Sequence, residues 1–198
     1  MDQKKHFKTI CSEFQTAQTH LEILKKLKPI FKSLQKPQSK RLPKELCWYD
    51  QYIYYWFIAH LTSCIFSFAK ILSNSKVDDI HNNINLNKLL RDVNGGQKLI
   101  NSLNKIRNKF KLYDDFRDQY AAHMNNQNYS TLTYLSLPFL NKKELPAIKS
   151  KLSRIITDAD DLINNNRGIY CDNISAISDL ESIIAVIHNS IQKHKHGT

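Results

Sequence analysis

An arginine and a histidine near one another can divide the work of a reaction that builds negative charge and moves a proton. The guanidinium cannot lose its proton and presents a planar fork of donors, whereas the imidazole exchanges a proton near neutral pH. The stretch FRDQYAAHM, Phe116 to Met124, carries this combination as Arg117 and His123, six positions apart. The question is what element holds them, and why a charge stands where it does.

Leu99, Leu103, Ile106, Phe110 and Tyr113 step by four, three, four and three, the spacing of one buried stripe on a helix. The same steps continue to Arg117, Tyr120 and Met124, so Arg117 occupies a seam position. A charge in an apolar seam costs several kcal/mol unless it is paired or hydrogen-bonded. Asp114, Asp118 or a carboxylate on a neighbouring helix would meet that need structurally. A seam that opens onto a polar pocket or a symmetric subunit interface would meet it functionally. At about 100° per residue, His123 lies about 120° around the helix from Arg117. The two diverge on one helix, and a two-fold related copy could gather two such pairs around one ligand.

The elements that position this stretch read as helices throughout. The chain has 198 residues, 41% hydrophobic and 24% charged, with only 4 glycines and 5 prolines. That length suits a single domain, and so few turn residues exclude a β-sandwich. Phe7, Ile10, Phe14, Leu21, Leu24 and Leu27 mark a basic N-terminal helix over 1–36. KPQSKRLPK, with two prolines, makes 37–45 a linker, and the bundle body takes 46–198. Within the body the pattern predicts an apolar helix from Leu46 to Leu72 and a short one over NLNKLLRDV that ends at Gly95-Gly96. A long helix from Gln97 to Met124 follows. Another is opened by Asn141 and Glu144 as a capping box and closed near Gly168, and a last one is capped by Asn173. The expectation is an all-α bundle of four to six helices with long antiparallel partners.

Charge is uneven. Residues 1–44 hold 11 Lys/Arg against 3 acids, within a chain of formal charge +11. The surplus points to a polyanionic partner, although a lysine- and asparagine-rich chain also acquires such charge from base composition alone. The cysteines, Cys11, Cys47, Cys64 and Cys171, form no C-x-x-C pair, which indicates reduced thiols and a cytoplasmic location. Lysines break the N-terminal stretch, so it is not a signal peptide. Tyr52 to Ala69 approaches the length of a membrane span, but His60, Thr62, Ser63 and Ser67 interrupt it, and a buried bundle helix is expected. His60 then reads as a satisfied core histidine, the run Tyr49 to Phe57 as packing rather than a base-stacking platform, and His194 to His196 as a solvated tail. Glu181 and His188 lack further metal ligands. No metal site or cofactor motif is visible.

Arg117 to His123, R-D-Q-Y-A-A-H, resembles the signature of the HEPN domain family (higher eukaryotes and prokaryotes nucleotide-binding): arginine, a polar residue, a short spacer and histidine. The flanking NLNKLL and AAHMN are most similar to its abortive-infection branch, and the similarity in layout extends from about Leu46 onward. The resemblance implies a HEPN-like bundle and a metal-independent endoribonuclease, a toxin or phage-defence enzyme cleaving RNA by attack of a ribose 2′-OH at a homodimer interface. It implies Arg117 as stabiliser of the phosphorane, His123 as proton-transfer group and Asp118 as the polar residue that orients one of them. It also implies a cognate antitoxin protein as a partner, and no membrane. One position departs: members controlled by a nucleotidyltransferase antitoxin carry tyrosine two residues after the histidine, and here Asn125 stands there, with Tyr129 out of register. The family also contains non-catalytic bundles that bind nucleotide, RNA or a protein. An unrelated helical adaptor with a salt-bridged Arg117 is a third reading.

In the ribonuclease reading the basic arm supplies affinity through Lys36, Lys40, Arg41 and Lys44. Neutralising these four should weaken RNA binding and reduce the slope of log affinity against log salt by about 0.7 per lost phosphate contact. Filter binding across a salt series measures this, and an unchanged slope would assign the charge to solubility.

Overall fold

A computed structural model describes residues 3–34, 44–73, 85–123 and 144–164, together with 185, 186 and 189; for 29–34, 44–55, 112 and 114–123 it describes the backbone alone. Among the described residues the chain is all-α, with helices α1 (Gln3–Leu34), α2 (Lys44–Leu72), α3 (Leu86–Arg91), α4 (Gly96–His123) and α5 (Glu144–Asn164). Residues 185, 186 and 189 are also helical. The helix expected from Leu46 starts at Lys44, so the last two residues of the expected 37–45 linker are helical. Asn141, Gly168 and Asn173, expected as caps, lie outside the described residues. The chain divides into two compact units, one of Met1–Thr16 and Ile65–Asp172, the other of Ala17–Cys64 and Asn173–Thr198.

In the first unit, α4 and α5 run antiparallel in a fixed register. A Cβ on Gly95 would meet Leu162 at 3.6 Å, and the Tyr113 hydroxyl donates to Glu144 Oε2 at 3.1 Å. Eighteen residues separate Gly95 from Tyr113 and eighteen separate Glu144 from Leu162, so the pair stays in step over about 27 Å. The seam is apolar. Leu103, Ile106 and Phe110 of α4 and Ile148, Leu152, Ile155, Ile156 and Ala159 of α5 are all buried. Burying each large aliphatic or aromatic side chain contributes roughly 1.5–3 kcal/mol, enough to hold two helices whose outer faces are polar.

An aromatic chain ties this seam to the other helices of the unit. Phe14 of α1 and Phe68 of α2 have ring centroids 6.3 Å apart. Phe68 meets Phe110 edge-on at 6.3 Å, and Phe110 stacks on Tyr113 at 5.3 Å. At the rim, Lys70 Nζ donates to Glu13 Oε1 at 3.0 Å and Gln3 Nε2 donates to the Asp92 carbonyl at 2.9 Å.

The corner between α3 and α4 sets where α4 begins. Asn85, extended at φ −123° and ψ 106°, caps α3 by accepting the Lys88 backbone N–H at 3.1 Å. Gly96 N–H then donates to the Val93 carbonyl at 3.0 Å. Gly95 takes the left-handed conformation at φ +83°, and the Gly96 backbone passes so close to α3 that a Cβ there would stand 2.0 Å from the Leu90 carbonyl oxygen.

In the second unit, α1 contributes Ala17, Leu21, Ile23, Leu24 and Leu27, and α2 contributes Phe57, Ile58, Leu61 and Cys64, all buried. The Cys64 thiol donates to the Ala17 carbonyl at 3.5 Å. The interrupted apolar run of α2 is thus core from Phe57 onward, as its hydroxyls and histidine imply. No helix among the described residues is long and apolar enough to cross a membrane.

The corner generates a ranked expectation. Gly95→Ala should cost about 1–2 kcal/mol for a left-handed alanine. Gly96→Ala should cost more, about 2–3 kcal/mol, because its Cβ meets backbone that no rotamer change can clear. Urea melts of both variants measure the order.

Candidate functional site

The stripe that leads to Arg117 is buried residue by residue: Leu99 is 8% exposed, Leu103 0%, Ile106 3%, Phe110 0% and Tyr113 3%. Beyond Tyr113 the helix continues without a break through His123. Arg117 therefore holds the next register position on the seam after a tyrosine. The side chains of Arg117, Asp118 and His123 lie outside those the structure describes, as does that of Lys44. Lys36, Lys40 and Arg41 lie outside the described residues altogether.

The described seam changes character one turn before Arg117. Phe110 is wholly apolar in its setting, but the Tyr113 hydroxyl already reaches a carboxylate, that of Glu144 at the head of α5. The seam thus turns polar at this end of the α4·α5 pair, through a hydrogen bond between the two helices.

Beside the seam, α4 and α5 flank a cleft of about 710 Å³. Ile106 and Ile155 contribute its apolar lining; Lys105 and Lys109 rise from α4, and Lys151, Arg154 and Asp158 from α5. A second cavity of about 390 Å³ adjoins it through Ile106, Asn108, Lys109 and Lys151 and reaches Glu144. The four cations are exposed, and among the described residues none is hydrogen-bonded or ion-paired. The spacing Ser102, Lys105, Lys109 on one helix and Lys151, Arg154, Asp158 on the other is visible in the sequence. That the two rows flank one cleft is fixed only by the antiparallel register.

The second unit holds a pair that the sequence hid more thoroughly. His20 of α1 and His60 of α2 bring their Nδ1 atoms to 2.8 Å, with ring centroids 5.0 Å apart, and Trp56 lies against His60 at 5.6 Å. His60 is a satisfied core histidine at Nδ1 only, because its Nε2 is buried without a hydrogen-bond partner. One ring must donate Nδ1–H and the other accept it. Placing the proton on His60 Nδ1 leaves Nε2 as a bare acceptor, which is milder than an orphaned N–H. Burial, and next the neighbouring His20, push the His60 pKa down to about 4. Of the aromatic run Tyr49 to Phe57, the described side chains are Trp56, half-buried, and Phe57, buried; both pack rather than offer a free stacking face. His188 and His194 to His196 lie outside the described residues.

Cys11 is half-buried beside Asp160; burial first, and then that carboxylate, push its thiol up to about 12. Burial raises Cys64 further. Neither is a nucleophile near neutral pH.

No protein-family model, no curated protein and no solved structure matches this chain.

The histidine pair carries a pH dependence of defined sign. The folded pKa of His60 lies below that of an unfolded histidine, 6.5, so the fold keeps it neutral. Its contribution to stability is complete above that value and is lost as pH falls towards about 4. His60→Gln, which does not titrate, should lessen the fall in melting temperature between pH 7 and 4.5 by several degrees, since about 1 kcal/mol corresponds to 2–4 °C at this size. Thermal melts of both proteins across that range measure the difference.

Proposed function

We propose that this protein is a metal-independent endoribonuclease of the HEPN type, acting as a toxin or phage-defence enzyme, with a composite site built from Arg117 and His123 of two copies. The observation that supports it is the register of α4: a seam buried as far as Tyr113, polar at Tyr113, and continued one turn later by Arg117 on an unbroken helix that reaches His123. A guanidinium at that position is accommodated where two such seams meet around an anion.

The chemistry follows from the residue types. A ribose 2′-OH gives its proton to the imidazole of one His123 as the oxygen attacks phosphorus. The 5′-oxygen of the next nucleotide leaves with a proton from the second His123, giving a 2′,3′-cyclic phosphate and a free 5′-hydroxyl. The NNQN run that follows Met124 is expected to stop the helix near His123, where partial negative charge on the last carbonyls would favour the protonated donor. Arg117 holds the equatorial oxygens while they carry the added charge of the phosphorane, and Asp118 orients the arginine or the histidine. A cognate antitoxin would act by covering this site or preventing its assembly.

His123→Ala removes both the base and the acid of a two-fold site, so it should lower the cleavage rate by more than the ~10²–10⁴ of a single proton-transfer group while leaving RNA affinity nearly unchanged. Arg117→Ala should abolish cleavage without unfolding the chain, and wild-type cleavage should persist in excess chelator. Assays on a panel of RNAs, beside sedimentation of the wild type, test these points. Equal rates for wild type and His123→Ala would end the catalytic assignment, and RNA binding without any cleavage would favour a non-catalytic binder.

A further inference from the structure

We propose that the cleft between α4 and α5 is a binding site for single-stranded RNA, with Lys105, Lys109, Lys151 and Arg154 gripping the phosphates. The ligand class rests on the reading above; the site rests on charge and shape.

The four cations stand on both walls of one cleft, exposed and unpaired among the described residues. Arg154 and Asp158 share the (i, i+4) spacing that commonly makes an ion pair on a helix, yet they form none. Like charges facing one another across a concave surface repel and focus positive potential into it, a cost that a bound polyanion removes. Lys105 and Lys109 are one turn apart, about 6 Å of rise, the scale on which phosphates follow one another along an unstacked strand.

Helices in contact lie about 8–10 Å apart axis to axis and leave no slot between them, so the cleft is a surface groove beside the seam. Such a groove suits a flexible single backbone, which can follow the two rows of cations closely. Ile106 and Ile155, buried in the seam, form the apolar floor beneath the cations. The adjoining cavity extends the path along the helices to Glu144, whose carboxylate receives the Tyr113 hydroxyl. A strand laid along this path runs towards the end of α4 that carries Arg117 and His123.

The experiment is fluorescence anisotropy of a labelled single-stranded RNA with the full chain and with Lys105→Gln/Lys109→Gln/Lys151→Gln/Arg154→Gln, across a salt series in chelator. The four lie on exposed faces, so the melting temperature of the variant should match that of wild type. The expected result is at least a tenfold loss of affinity near 0.15 M salt and a salt slope lower by about 2–3, at roughly 0.7 per lost contact. If the quadruple variant does not fold, each double variant should remove about half of that slope. Unchanged affinity and slope would overturn the proposal, as would equal displacement of the strand by duplex RNA or by polyglutamate, which would mark an acidic protein as the occupant. The nuclease reading fails separately: a chain that binds the strand through these four residues but never cleaves it keeps the site and loses the enzyme.

Discussion

Gly95 against Leu162 at one end and Tyr113 against Glu144 at the other fix two helices in step over eighteen residues, and the first unit is organised by that register. It decides which side chains of α4 are buried, and therefore which position follows them along the seam. It also decides which residues of α5 stand across from Lys105 and Lys109. The apolar seam supplies most of the attraction, but apolar contact is non-directional and would tolerate a slide. The corner at Gly95-Gly96, where α4 starts against the backbone of α3, and the Tyr113–Glu144 hydrogen bond remove that freedom.

Polar groups are buried in both units. In the first, Asn85 caps α3, Asn164 donates to Asp160 one turn away at 2.6 Å within α5, and the Tyr113 hydroxyl crosses from α4 to Glu144 of α5. In the second, two imidazoles on different helices share one proton, and Thr62 Oγ1 and His60 Nε2 are buried with no partner. Such groups cost free energy that surrounding apolar burial has to offset. They also make that helix pair specific, because a slide of one residue would separate the two Nδ1 atoms.

How far the sequence could be read follows from the range of each interaction. Periodicity is local, and the local features stand in the structure: the stripe from Leu99 to Tyr113, the buried set from Phe7 to Leu27 on α1, and the short helix ending before Gly95-Gly96. The start of α2 falls two residues earlier than the apolar pattern suggests, since hydrophobic spacing marks a buried face and not the first backbone hydrogen bond. His20 opposite His60 was not legible. The two lie forty positions apart, and nothing in either neighbourhood states that the helices pair at that level. The basic cleft was half legible, as two rows of cations whose juxtaposition needs the register. Arg117 and His123 were singled out by type and spacing, and the structure adds that both stand on α4, Arg117 one turn past Tyr113 and His123 on the same unbroken helix.

The fixed register has an evolutionary corollary. Substitutions on the outer faces of α4 and α5 leave the seam intact, but loss of one residue between Gly96 and Tyr113 would rotate everything beyond it by about 100° and carry Arg117 off the seam. Insertions would have to come in threes, fours or sevens, and with matching changes in α5, to be absorbed. In descendants of this chain, lineage divergence should therefore accumulate as replacements rather than as length changes in α4. The count of residues from the glycine corner to the arginine would outlast the identity of most residues in between.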